Sequence, residues 1–75
     1  MSAYSNKILL ITQRYIGPSS ERFLERQTTS HMNGLAFADV DKVHSKDLAH
    51  WVEVSAGLII GKDKAAKLAE EILKA

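Results

Sequence analysis

Between Ser45 and Ala75 apolar residues recur at steps of three and four, a pattern that predicts two helices joined by a tight turn at Gly61. In the first helix, Leu48, Trp51, Val52, Ser55, Leu58 and Ile59 fall on one face. Ser45 is placed to cap the helix. Asp47 puts a negative charge in the first turn, where the helix dipole favours it. Gly61 closes the run, because glycine adopts the positive-φ conformations of helix ends without a Cβ clash. Asp63 is the expected cap of the second helix. There Ala65, Leu68, Ala69 and Ile72 form a stripe, widened by Ala66 and Leu73. Lys67 and Glu71 stand four apart and can pair. The short turn makes the two helices antiparallel neighbours that cover part of each other. Trp51 is the largest apolar group and is expected near the centre of the core.

The N-terminal half carries a weaker version of the same pattern. Ser5 or Asn6 can cap a helix running to about Ile16, with Ile8, Ile11, Tyr15 and Leu9 to one side. Lys7 to Thr12 is also compatible with a strand, but no second strand exists to pair with it. Gly17-Pro18 is the clearest break: Gly17 ends one helix and Pro18 suits the first turn of the next. That next helix runs from Pro18 to about His31. It carries Phe23, Leu24, Gln27 and His31 on or near one stripe, while Arg22, Glu25 and Arg26 face water. Thr28-Thr29-Ser30 weakens its end, and Asn33-Gly34 terminates it. Residues 35–44 fit either a loop pinned by Phe37 and Val40 or a short extra helix near Asp39 to Val43. The expected fold is all-α: a compact bundle of about four short helices in one domain, residues 1–75.

Composition narrows the class. A 75-residue chain buries only roughly 60% of the surface its unfolded form exposes, so the core is small. Hydrophobic content of 45% and charged content of 25% fit a globular domain rather than a disordered one. Ten basic and nine acidic residues leave a net charge of +1, which argues against strong non-specific nucleic-acid binding. The absence of cysteine removes disulfides, thiolate metal sites and cysteine nucleophiles. No apolar run approaches the about 20 residues needed to cross a bilayer, and the start of the chain lacks signal-peptide features. These features point to a cytoplasmic protein.

Candidate chemistry is sparse. Asp47, His50 and Glu53 can share one helical edge, with His31 or His44 arriving from elsewhere, which gives a metal or small-ligand reading. No recognised zinc spacing accompanies them, so no metal and no cofactor is implied. DVDKVHSKDLAH begins like a calcium loop but has His44 where glycine is required and His50 where a bidentate Glu is required. GLIIGK lacks both the spacing of a phosphate loop and its following Ser or Thr; Gly57 and Gly61 fit close helix packing or a cap instead. Ser55 on the apolar face is expected to bond back to the preceding turn. No nucleophile–base pair can be assembled, and a chain this short leaves little room for a substrate pocket, so no enzyme is expected. The helix–Gly–helix unit also fits a nucleic-acid-binding reading through Arg14, Arg22, Arg26, Lys62, Lys64 and Lys67. Against it, the second helix lacks Arg, Asn and Gln to read base edges.

YIGPSSERFLERQ followed by DLAHWVEVSAGLIIGKDKAAKLAEEI resembles small helical accessory modules of bacterial signalling proteins. Those modules pair an IGP–small–small helix start with a later pair of helices of Leu–x–x–Leu type. Ile16, Gly17, Pro18, Leu48, Leu68 and Ile72 carry the resemblance, which spans most of the chain. It implies a non-catalytic regulatory or interaction module and carries over no functional residues. Four short amphipathic helices expose more apolar surface than one 75-residue core easily hides, so the protein is expected to bind a protein partner or a second copy of itself. Leu9, Leu10, Ile60 and Leu73, at the edges of their stripes, are the candidate contact surface.

Overall fold

Four amphipathic segments become α-helices in a computed structural model that describes residues 1–75. They are α1 (Ala3–Ile16), α2 (Ser20–His31), α3 (Ser45–Ile60) and α4 (Lys62–Lys74), and no strand forms. They do not, however, amount to four separate short helices. A 3-10 turn, Gly17–Ser19, joins α1 directly to α2, and another, Lys42–His44, runs straight into α3. Three continuous helical runs result: 3–31, 42–60 and 62–74. Within the first run Gly17 ends α1, as expected, and Pro18 opens the turn that leads into α2. Gly17 sits at φ 81°, its N–H donates to Gln13 O, and Pro18 occupies a first-turn position that needs no N–H. The Ser20 hydroxyl donates back to Gly17 O at 2.7 Å, which holds the turn.

Helix starts differ from expectation by a few residues. Ser2, rather than Ser5 or Asn6, caps α1 by accepting from Ser5 N–H at 3.0 Å; Ser5 itself is buried. Ser45 is already the first residue of α3. The capping role falls to Asp41, four residues earlier, whose side chain accepts from Lys42 N–H while His44 Nδ1 accepts from Asp41 N–H. Asp63 lies inside α4, and Gly61 takes the cap position at φ 90°, ψ 158°. The Lys67–Glu71 pair does not form. Glu71 reaches Arg14 at 2.6 Å across the α1–α4 contact, and Lys74 pairs with Glu70.

The core is built on the α3–α4 pair, which shares the largest contact, with α1 against α4 and α2 against α3. Ala65, Leu68, Ala69 and Ile72 of α4 are buried as expected, but Ala66 and Leu73 are exposed. On α3 the buried face is Leu48, Ala49, Val52 and Ala56. It is rotated away from the predicted stripe, leaving Leu58 and Ile59 in solvent. Two of the four residues of that face, Ala49 and Ala56, are small, which suits the close contact between α3 and α4. Ile8 of α1 and Leu24 of α2 complete the helical core.

Residues 35–44 follow the pinned-loop expectation and add two 3-10 turns, Phe37–Asp39 and Lys42–His44. Phe37 and Val40 are fully buried, and Phe37 is the largest fully buried side chain. Val43 points outward. Trp51 does not take the central place expected of it. It is partly buried at the edge, with His31 stacked on its ring at 4.1 Å and His50 edge-on at 4.8 Å. No helix is long and apolar enough to cross a membrane.

Candidate functional site

The register of α2 against α3 positions the feature of most interest. The two helices run antiparallel: His31 stacks on Trp51, and four residues back along α2 the buried Gln27 Oε1 accepts from Ser55 Oγ at 2.7 Å. This bond replaces the expected back-bond of Ser55 to its own helix. One turn further, Phe23 and Ile59 border the same groove. Here the helices no longer cover each other. A groove of about 510 Å³ opens between Ile16, Phe23, Leu58 and Ile59, with the Gln27–Ser55 bond at its inner end and Arg22 and Arg26 along one wall.

Leu58 is 90% exposed, Ile59 61% and Val54 53%. These three lie within six residues of one helix, so they form a local apolar patch rather than scattered leucines. Leu58 is also a ridge between two hollows. On its other side His50, Glu53, Val54, Gly57 and Lys62 line a second depression of about 650 Å³. A Cβ built on Gly57 would meet nothing within 4 Å, so Gly57 is not a close-packing glycine.

Neither arginine on the groove wall forms an ion pair, although Arg22 also borders a hollow on its other side lined by Glu21 and Glu25. The chain has two ion pairs, Arg14–Glu71 and Lys74–Glu70, and neither involves Arg22 or Arg26. No carboxylate lines the groove. Glu25, beside them on α2, lies outside this groove, in the hollow it shares with Arg22 and Phe37. It accepts from Phe37 N–H at 2.5 Å and holds the 3-10 turn against α2.

The remaining candidate residues are placed individually. Leu9 and Ile60 pack against the core from its edge. Leu10 and Leu73 are exposed, but on different helices; Leu73 borders a shallow groove with Lys46, His50 and Glu53. Of the six basic residues in the nucleic-acid reading, Arg14 is held by Glu71, Arg22 and Arg26 wall the α2–α3 groove, and Lys62 stands beyond Leu58. Lys64 and Lys67 lie on the exposed side of α4, together with Asp63 and Glu70. Asp47, His50 and Glu53 do not form a ligand cluster: His50 and Glu53 share a hollow, but no three His, Asp or Glu side chains converge as metal ligands would. His31 and His50 contact Trp51, and His44 caps the turn before α3.

Three groups titrate away from their ordinary values. Burial pushes the Tyr4 hydroxyl up. Tyr15 is raised because its hydroxyl donates to Glu71. Glu71 is lowered, first by accepting that hydrogen bond and then by the neighbouring Arg14 charge. None of the three lines either hollow beside Leu58. Every buried side-chain polar atom has a hydrogen-bond partner. The perturbed groups therefore tie α1 to α4 rather than mark a site of chemistry.

Sequence periodicity missed the Leu58 patch. A signal for it was present in Leu58-Ile59-Ile60: three consecutive apolar residues sweep about 200° of a helix, too wide for one buried face. No protein-family model matches the chain, and no curated protein or solved structure is significantly similar to it.

Proposed function

We propose that this chain is a small, non-catalytic protein-interaction or regulatory domain of the cytoplasm, docking a protein partner on the face centred on Leu58. One observation carries the reading: Leu58 is 90% exposed, between Val54 and Ile59 and beside a groove floored by Phe23 and Ile16. Leaving such a patch in water forgoes burial worth about 25 cal/mol per Å², which a partner can recover. The proposed contact surface centres accordingly on the C-terminal turns of α3 rather than on Leu9, Leu10, Ile60 and Leu73, of which Leu9 and Ile60 pack against the core while Leu10 and Leu73 are exposed on other helices. A regulatory role of this kind is what the resemblance to signalling accessory modules implies. The charge pattern of α4, where Lys64 and Lys67 alternate with Asp63 and Glu70, does not favour nucleic acid.

Site-specific photo-crosslinking in cells tests the proposal. A photoreactive residue at Leu58 is expected to give an adduct of discrete mass containing a second polypeptide. The same residue at Ala66, exposed on α4, is expected to give none. Only uncrosslinked chain at position 58, under conditions where a control interaction is captured, overturns the proposal.

A further inference from the structure

We infer that the α2–α3 groove receives an acidic amphipathic helix of a partner protein. The inference rests on reading the Leu58 face as a docking surface and adds the chemistry of the occupant. The groove is an open channel between two helices, and the fitting complement is a third helix laying its apolar side along Phe23, Leu58 and Ile59. Its charge is one-sided. Arg22 and Arg26 stand on one wall, neither paired with a carboxylate of this chain, and no acidic side chain lines the channel. They lie one turn apart, about 6 Å along α2. Carboxylates at positions i and i+4 of a docked helix have the same spacing. Such a helix would neutralise both guanidiniums while covering the apolar ridge.

A second copy of this chain fits less well. If α3 packed antiparallel on its symmetry mate, the Arg22–Arg26 wall would face the same wall of the other copy, and like charges would oppose.

The test uses the full chain and two fluorescent stapled helices of about 12 residues, roughly three turns. Both carry the same leucine face; one has Glu on its flanks and the other Lys in the same places. Fluorescence anisotropy is expected to show binding of the Glu helix that weakens with added salt, and binding of the Lys helix about tenfold weaker, the effect of two screened rim pairs. The double variant R22E/R26E is expected to invert the preference. Leu58→Ser is expected to weaken both probes. All three positions are exposed or at the rim, and circular dichroism checks that each variant folds. Equal binding of both helices, lost in Leu58→Ser, would overturn the acidic partner and leave the docking face standing. Concentration-dependent dimerisation abolished by Leu58→Ser, without probe binding, would assign the groove to a second copy. Binding of a labelled DNA duplex through Arg22 and Arg26, with neither helix bound, would overturn a protein partner altogether. No binding of any kind would remove both the occupant and the docking face.

Discussion

Leu48 and Leu58 are the same residue type on the same helix, ten positions apart, and they make opposite predictions. Leu48 is fully buried and packs in the core. Truncation to Ala removes buried methyl groups and leaves a cavity, which costs about 2–5 kcal/mol. A domain of this length has a total stability of about 4–11 kcal/mol, so Leu48→Ala removes a large share of it. The melting temperature should fall by about 10 °C or more, at about 4–8 °C per kcal/mol for a domain of this size. Full burial of a leucine stabilises by about 1.5–3 kcal/mol, and Leu58 keeps 90% of its surface in water, so its burial contributes only about 0.2–0.3 kcal/mol. Alanine is also the better helix former, so Leu58→Ala should change stability by less than about 0.5 kcal/mol. Urea unfolding followed by far-UV circular dichroism and by Trp51 fluorescence measures both variants. The dilution series matters: a loss in Leu58→Ala that appears only at high protein concentration reports self-association. A loss above about 1 kcal/mol at every concentration would mean that Leu58 belongs to the core, and the exposed-face reasoning would fail.

Four further substitutions test particular positions. Gly57→Ala should stabilise by about 0.5–1 kcal/mol, since the site is helical with open space around it. Gly61→Ala should cost about 1–3 kcal/mol, because φ 90° with ψ 158° is a conformation only glycine adopts without strain; thermal melts giving the same sign for both would refute the distinction. Glu71 is lowered in the folded state, so its contribution to stability is present above the usual carboxylate range and is lost as pH falls through its depressed value. Tyr15→Phe should return Glu71 toward the ordinary value in an NMR acid titration, and an unchanged titration would show that the hydrogen bond is not the principal cause. Glu25→Ala should cost about 1.5 kcal/mol, the low end for a hydrogen bond to a charged group, and speed amide exchange at Phe37. Uniform exchange across residues 35–40 in both proteins would argue against the latch.

How far the sequence reaches is visible in individual residues. The helical class, the antiparallel α3–α4 pair, the α4 stripe of Ala65, Leu68, Ala69 and Ile72, and the pinning of the loop by Phe37 and Val40 all follow from local pattern and turn chemistry. Periodicity is a property of the chain itself, so any fold that buries these stripes must use them. It does not say which helix comes near enough to cover which edge. That depends on side-chain volume at contacts distant in sequence. The side of α3 that carries Ala49 and Ala56 is in the core, while Leu58 and Ile59 are left beside a groove. Long-range hydrogen bonds are equally invisible in a local window. Glu25 reaches Phe37, Gln27 meets Ser55 and Glu71 finds Arg14 rather than Lys67. The local pattern thus determined which segments are helices and most of what they bury. Only the tertiary structure decided where the apolar surface runs out of partners, because that is set by close approach between helices far apart in the chain.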